Sequence, residues 1–316
     1  MLLELCGNDS LQLALGICQS HLDLILFATS IRGEICKSFL ESPIRLFCYP
    51  TLENPHYFLM VKNNLHIRQC PKTPWYNFEG SNTRKNYPYR PYITLAHVPG
   101  TTYDENLFTE LLRDFRLKAF GTNDLDRPHK VFGKDHLVRL YKTLMEKLST
   151  TLQPVDYPHY LFYMTEQQLN LLKETEAIAP SGYEFFELDV DRDAEIVNRT
   201  WKHAKQGDDE QTRCKLQRMP SAAIKSSSGK LVAHVMVDPA GFMNHHFVSE
   251  VHRREGLGTV IEIKITQRCV NRGIQPYKMV ETGNTLALNL STNSPFWAMW
   301  RDEKSEPVVV MQQEWN

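Results

Sequence analysis

Apolar and polar residues alternate in short blocks through the second half of the chain. Residues 183–190 (YEFFELDV) predict a strand, 220–238 predict a hairpin that turns at a Ser-Ser-Gly sequence, and 242–251 predict a further strand. Residues 259–273 space their apolar side chains as an amphipathic helix does, and 276–282 return to a strand pattern. This order predicts an α/β layer fold in which a mostly antiparallel start leads into a strand–helix–strand core.

The first half also mixes strand and helix patterns. Buried strands are predicted at 57–61 (YFLMV), 93–98 (ITLAHV) and 159–164 (HYLFYM), and an amphipathic helix is predicted at 136–149. We expect a second α/β domain here. No internal repeat and no low-complexity segment is apparent.

A domain boundary is predicted near residue 180. Thr165 and Gln168 have the spacing of a capping box and begin a predicted helix over 165–178. The Ala-Pro-Ser-Gly sequence that follows is the strongest break in the chain. The predicted domains are therefore 1–180 and 181–316.

Composition and charge exclude several classes of partner. The net charge of -1 over 316 residues gives no overall attraction to nucleic acid. No apolar stretch is long enough to predict a membrane span, and no Lys or Arg precedes Arg32, so no clear targeting sequence is present. The seven cysteines form no CxxC pair, which favours reduced thiols. We expect a monomer in the cytoplasm or in mitochondria.

The sequence VSEVHRREGLG (248–258) lies where a predicted strand leads into a helix. The first backbone N–H groups of a helix have no partner within the helix, and together with the helix dipole they suit a phosphate group. Gly256 and Gly258 would let a ligand approach the backbone closely, while Arg253 and Arg254 add positive charge. A plain turn that needs glycine is the alternative interpretation.

The setting of this turn resembles the GNAT acyltransferase superfamily. After Arg-x-x-Gly-x-Gly come a helix, a strand, and Asn284 with Ala287 three residues later, and Phe296 lies near the usual Gly-Phe of that superfamily. The resemblance implies a mixed sheet flanked by helices, in which two strands diverge to admit acyl-CoA. For the N-terminal domain, a degenerate GNAT-like half is one interpretation.

Within the superfamily, the chain resembles the glycine N-acyltransferase family. The run DPAGFMNHHFVSEVHRREGLG (238–258) and the Asn-x-x-Trp pattern of Asn198 and Trp201 carry this resemblance, and Ser291 also suits the family. The resemblance implies transfer of an acyl group from acyl-CoA, as co-substrate, to glycine or another small amine. It implies no prosthetic group.

The resemblance also assigns binding residues. Backbone amides would hold the CoA pyrophosphate, strand amides would polarise the thioester carbonyl, and an asparagine would hold the CoA arm or order the diverging strand. The pyrophosphate-binding positions are Arg253, Arg254, Glu255, Gly256, Leu257 and Gly258. The strand positions that polarise the carbonyl are Phe247 and Val248, and the asparagine is Asn284.

The predicted base is the point at which the chain departs from the family. Acylation of an amine needs a proton acceptor, and the position of the family's catalytic glutamate is Phe242. In a regular strand Phe242, Asn244 and His246 would share one face, so His246 is the candidate replacement. The alternative is a non-catalytic acyl-CoA-binding protein on a degenerate scaffold. We expect no metal site, because adjacent strand residues such as His245 and His246 point to opposite faces.

Overall fold

The computed structural model describes residues 1–39, 42–62, 90–121, 126–148, 150–201, 204 and 208–316. Within these residues the strands are β1 (Leu3–Leu5), β2 (Ile44–Pro50), β3 (Pro55–Lys62), β4 (Tyr92–His97), β5 (His129–Lys134), β6 (Pro154–Tyr163), β7 (Tyr183–Phe186), β8 (Ser221–Ser226), β9 (Leu231–Val237), β10 (Phe242–Val248), β11 (Tyr277–Glu281), β12 (Ala298–Met299) and β13 (Val309–Trp315). The helices are α1 (Asn8–Ser20), α2 (Ile25–Ile35), α3 (Glu105–Phe120), α4 (Asp135–Lys147), α5 (Glu166–Glu174), α6 (Val190–Arg199), α7 (Asp208–Arg218), α8 (Leu257–Asn271) and α9 (Thr285–Thr292).

The predicted α/β fold class is confirmed. The strands form one mixed sheet in the order β1-β2-β3-β4-β5-β13-β6-β11-β10-β9-β8-β7, and helices pack on it. In the second half, β7 to β10 pair antiparallel, and the crossover through α8 makes β10 and β11 parallel. The capping box of α5 is also present, with Thr165 N donating to Gln168 Oε1 over 2.9 Å.

The two halves repeat one topology that their residues do not reveal. Each half runs strand, two helices, three antiparallel strands, helix and parallel strand: β1 to β5 in the first half and β7 to β11 in the second. The repeat escapes inspection of the sequence because a fold constrains the spacing of apolar positions and not the identity of residues. The first half of the chain therefore has the same strand order as the second.

Two strands are exchanged between the halves. β13, at the end of the chain, inserts between β5 and β6, while β6 pairs on its other side with β11. Trp315 is fully buried and stacks on His129 of β5 at 5.8 Å between ring centroids. The predicted boundary at 180/181 falls between α5 and β7, but the sheet crosses it. Neither half has a complete sheet without a strand from the other.

The turn between β9 and β10 docks against the first half. Lys62 of β3 is buried and donates to the Pro239 carbonyl over 2.8 Å. Within the second half, the Tyr277 hydroxyl of β11 holds the same turn by donating to the Ala240 carbonyl over 2.8 Å. Gly241 has φ +103°, and a Cβ there would lie 2.3 Å from Thr29 Oγ1 of α2. A side chain at this position would therefore push the two halves apart.

No helix among the described residues is both long and apolar enough to cross a bilayer. The buried apolar residues instead form clusters on both faces of the sheet. One cluster contains α1 and α2 side chains such as Phe27, and the largest in the second half contains Ile261 and Ile265 of α8. The helices are thus amphipathic covers of a sheet.

Replacing Gly241 by alanine tests the contact between the halves. Gly241→Ala combines a left-handed backbone with the clash against Thr29, whereas Gly229→Ala, at φ +79° with no atom within 4 Å of a built Cβ, carries the backbone strain alone. We expect Gly241→Ala to lower the free energy of unfolding by about 1–3 kcal/mol more than Gly229→Ala does, as measured by urea denaturation. Equal losses in the two variants would contradict the close docking.

Candidate functional site

The candidate site lies where β10 and β11 diverge. These parallel strands pair at only two positions, Phe242 with Tyr277 and Met243 with Lys278. Beyond them β10 continues on β9, and β11 continues on β6, so the facing edges of the two strands lose their partners. This opening leads to the turn before α8. The sequence resemblance predicted such an opening at this place.

A bulge in β10 changes which side chains lie on each face of the sheet. The register with β9 shifts between Asn244 and Phe247, and His245 has φ +60°. His245 consequently contacts Thr200 and Trp201 at the end of α6, while His246 turns toward α8. Phe242 and His246 therefore lie on opposite faces of the sheet. The expectation that they share a face is wrong, because one extra residue reverses the alternation after it.

The start of α8 presents backbone donors without a side-chain cap. The N-cap is Gly256 in the left-handed conformation, with φ 76°, and no acidic residue lies in the first turn. The equivalent helix of the first half, α3, is different: Asp104 caps it by accepting from Leu107 N, and Glu105 follows. A negative ligand is favoured at an uncapped helix start and disfavoured at one that already holds carboxylates.

The residues predicted to bind acyl-CoA adjoin this helix start. Arg253 extends back along the opening and donates to the Val248 carbonyl over 3.3 Å, and it pairs with Glu250 at 3.2 Å. Arg254 has φ +69°, and Glu255 and Gly256 complete the turn. The Leu257 side chain is buried in the core, so only its backbone N–H can serve a ligand.

The strand residues before the turn differ in where their amides point. The Ser249 N–H donates to the Val232 carbonyl on β9 over 2.8 Å. Since N–H directions alternate along a strand, the Val248 N–H points to the other edge, which faces the opening. Phe247 is paired with His234 across to β9, and its ring stacks on that imidazole at 5.3 Å. Of the two predicted positions, Val248 therefore has the amide directed at a ligand in the opening.

His246 belongs to a polar cluster on the α8 side that the sequence did not reveal. Its Nδ1 lies 3.6 Å from Glu262 Oε2, and Glu262 also accepts from Lys278 Nζ of β11 and from Trp297 Nε1. Burial lowers the pKa of His246, and the Glu262 carboxylate opposes that shift. A Cβ on Gly258 would lie 3.7 Å from His246 Nε2, so the ring reaches the start of α8.

Asn284 and Ser291 are both in the region of α9. Asn284 is the N-cap, and its Oδ1 accepts from Ala287 N at 3.1 Å, so its side chain orders the turn after β11. Ser291 is buried. Leu286 and Leu290 of the same helix are 70% and 64% exposed, which leaves an apolar helix face beside the diverging strand.

The position of the family's glutamate faces the first half of the chain. The Phe242 ring lies 6.5 Å from Phe132 of β5 and 6.3 Å from Tyr277. It lines a narrow cavity with Ser30, Lys62 and Thr94. Burial lowers the pKa of Lys62 to about 8, with the Asp238 carboxylate opposing the shift. The sequence could not place these first-half residues beside Phe242, because no local pattern encodes that long-range contact.

Several buried histidines are held neutral by desolvation. Burial lowers the pKa values of His129 and His234 to about 3 and that of His245 to about 4. All three are at most 8% exposed. Two of them, His234 and His245, lie on the opposite side of β10 from His246.

Comparison with known proteins agrees with this geometry. Residues 223–301, about a quarter of the chain, match the family model described as FR47-like protein. No curated protein matches the chain. The resemblance to the GNAT superfamily is confirmed for the second half, whereas the narrower resemblance to glycine N-acyltransferases stays a prediction.

Solved structures with this fold include one that matches over nearly the whole chain. It is a Drosophila protein with 12% identity and a TM-score of 0.71, and the match covers 99% of this chain and 97% of that one. A tandem GNAT protein from the clavulanic acid biosynthesis pathway has 11% identity, a TM-score of 0.47 and coverage of 100% and 98%. A GCN5-related N-acetyltransferase from Sphaerobacter thermophilus has 10% identity, a TM-score of 0.49 and coverage of 99% and 95%. The Drosophila structure establishes the fold of both halves.

The buried histidines predict a loss of stability in mild acid. Their pKa values are lower in the folded protein than in the unfolded chain, so the unfolded chain binds more protons below about pH 6.5. The contribution of these neutral histidines to the free energy of unfolding is therefore fully present above that pH and is lost as the pH decreases. We expect the free energy of unfolding to drop by about 1 kcal/mol for each of His129, His234 and His245 between pH 7.5 and 5.5, as measured by urea denaturation. An unchanged value at pH 5.5 would contradict neutral, buried imidazoles.

Proposed function

We propose that the protein is an N-acyltransferase that moves an acyl group from acyl-CoA to the amine of glycine or another small amine. The observation that carries this proposal is the uncapped start of α8 at the mouth of two diverging parallel strands, on the sequence Arg-x-x-Gly-x-Gly. A helix start of this kind binds phosphate, and an opening in a sheet admits an extended arm. The match to the FR47-like family over 223–301 supports the same activity.

The acyl donor, acyl-CoA, would bind along the turn and the edge of β10. The N–H groups of residues 254–258 would hold the pyrophosphate, and the left-handed conformation of Gly256 directs the chain into α8. Arg253 and Arg254 supply positive charge, which offsets the carboxylates of Glu250 and Glu255. Acyl-CoA is then a co-substrate, and the chemistry needs no prosthetic group.

The thioester would lie farther into the opening. The Val248 N–H, directed away from β9, would donate to the thioester carbonyl and stabilise the negative charge that develops there. Phe247 supplies the neighbouring backbone. Asn284, by capping α9, would fix the turn that borders the CoA arm.

The acceptor assignment rests on the resemblance of 238–258 to glycine N-acyltransferases. His246, the base predicted from sequence, remains a candidate because burial lowers its pKa and so leaves the ring neutral and able to accept a proton, while the neighbouring Glu262 carboxylate would stabilise the imidazolium that forms. It faces α8, however, and Phe242 faces the first half of the chain. A carboxylate at position 242 would lie on the side away from His246.

A first experiment replaces Gly258 by aspartate, with asparagine as the isosteric control. A Cβ at 258 meets only ordinary contacts, 3.7 Å from His246 Nε2 and 3.8 Å from Val248 Cγ2, and a carboxylate in the first turn of a helix does not weaken the helix. We expect Gly258→Asp to raise the Kd for CoA at least about tenfold above that of Gly258→Asn, since its charge repels phosphate. Equal affinities, measured by calorimetry, would place the phosphates elsewhere.

A second experiment separates transfer from binding. The wild-type protein is incubated with acetyl-, butyryl- and benzoyl-CoA and with glycine or other amino acids, and the release of free thiol is followed. Amine-dependent thiol release supports the proposed activity. CoA binding without such release would instead support the acyl-CoA-binding alternative that Phe242 raises.

A further inference from the structure

Two histidines and one threonine form a buried cluster on the side of β10 opposite His246. Thr200, at the C-terminal end of α6, has its Oγ1 2.9 Å from His234 Nε2 on β9 and 3.3 Å from His245 Nε2 on β10. The two imidazole centroids are 5.0 Å apart with nearly perpendicular planes. One hydroxyl oxygen therefore anchors both rings.

The hydrogen bonds of Thr200 determine the proton positions on both rings. A hydroxyl has one donor hydrogen, and Thr200 Oγ1 donates it to the Val197 carbonyl over 2.8 Å. The two lone pairs of the oxygen then accept from Nε2–H of His234 and Nε2–H of His245. Because both rings are neutral, each Nδ1 carries an unprotonated lone pair.

Neither Nδ1 atom has a hydrogen-bond partner among the described residues. Both are buried, and their residues are 1% and 8% exposed for His234 and His245. A buried acceptor without a donor is destabilising, and His245 is also held at φ +60°, which is unfavourable for a residue with a side chain. Such costs concentrate at binding sites, where a ligand supplies the missing donor.

The surroundings of the two Nδ1 atoms favour a ligand whose hydrogen-bond donor is uncharged. The Trp201 ring lies beside His245, with 5.8 Å between ring centroids, and the Phe247 ring lies beside His234, with 5.3 Å between ring centroids. Among the residues that the structure describes, the charged group that acts on His245 is Lys215 of α7, which is paired with Asp238 at 2.8 Å and lowers the pKa of His245 further. His246, on the other face, acts on His234 in the same direction. A cation entering this cluster would lose its hydration beside Lys215.

We propose that His245 and His234 form the acceptor site, in which their Nδ1 lone pairs accept hydrogen bonds from the N–H groups of a primary amine. This inference rests on the proposed function. Since burial disfavours the ammonium form, the site selects the free amine and leaves the proton in solvent. The free amine attacks the thioester carbonyl carbon: the C–N bond forms, the C–S bond breaks, and the nitrogen gives up one proton, which ends on the CoA sulfur as CoA leaves as the thiol. Because the amine would arrive deprotonated, Phe242 at the position of the family's glutamate is compatible with activity.

Two substitutions of His245 test the proposal, because each mimics a different nitrogen of the imidazole ring. His245→Gln keeps an N–H donor toward Thr200 but removes the Nδ1 acceptor, whereas His245→Asn keeps an acceptor at the Nδ1 position and tolerates the left-handed backbone. We expect His245→Gln to raise the KM for glycine at least about tenfold while the KM for acyl-CoA is unchanged. His245→Asn should bind glycine within about threefold of wild type. The same glycine KM in both variants, or a wild-type value in His245→Gln, overturns the proposal.

The pH dependence separates this site from a histidine base. If the site selects the free amine, kcat/KM for glycine rises about tenfold per pH unit toward the pKa of the amine, without a break near pH 6–7. A break in that range that disappears in His246→Gln would assign the base role to His246 and overturn the proposal.

Nitrogen NMR tests the site without any turnover. In protein labelled with ¹⁵N-histidine, His234 and His245 should both show the Nε2–H tautomer, and glycinamide should shift their Nδ1 resonances in wild type. If glycinamide leaves these resonances unchanged, water is the only occupant and the proposal fails. If the resonances shift but no thiol is released from acyl-CoA, the amine site stands and the proposed transfer activity fails.

Discussion

The left-handed backbone at His245 determines the chemistry on both sides of β10. One extra residue in the strand turns His246 toward α8 and brings His245 to the end of α6. It also restores the pairing with β9, so that Phe247 and Val248 lie in register before the turn. The polar cluster of Glu262 and Lys278 and the imidazole pair on Thr200 are separate sites because of this single conformation.

Strands supplied from far along the chain border the opening between β10 and β11. β11 leaves β10 after two pairs, while its other edge stays paired with β6 from Tyr163 to His159. β6 is held on its far side by β13, which also pairs with β5. The strand exchange thus supports the β11 side of the opening, and the first half of the chain contributes to it structurally. Through Lys62 and Thr29 the first half also fixes the turn that leads into β10.

The two halves share a topology but differ in electrostatics at equivalent helix starts. α8 begins at a glycine with no acidic residue in its first turn, and α3 begins with Asp104 and Glu105. An anion is favoured at the first and repelled at the second, because carboxylates already satisfy the donors and the helix dipole of α3. This difference favours the second half for the proposed phosphate site.

The sequence alone predicted most of the element order of the second half, although not α7, and it predicted the Arg-x-x-Gly-x-Gly turn between β10 and α8, because strand and helix periodicity and glycine spacing are local properties. It also places Phe242 where the family that the chain resembles has a glutamate. Only the tertiary structure decided the rest. The faces of His245 and His246 depend on a bulge, which a period-of-two pattern cannot encode. The roles of Glu262, His234 and Thr200 depend on contacts between residues distant in the chain, and the strand exchange joins segments more than a hundred residues apart. Local patterns specify which elements form, whereas packing between them specifies which side chains meet.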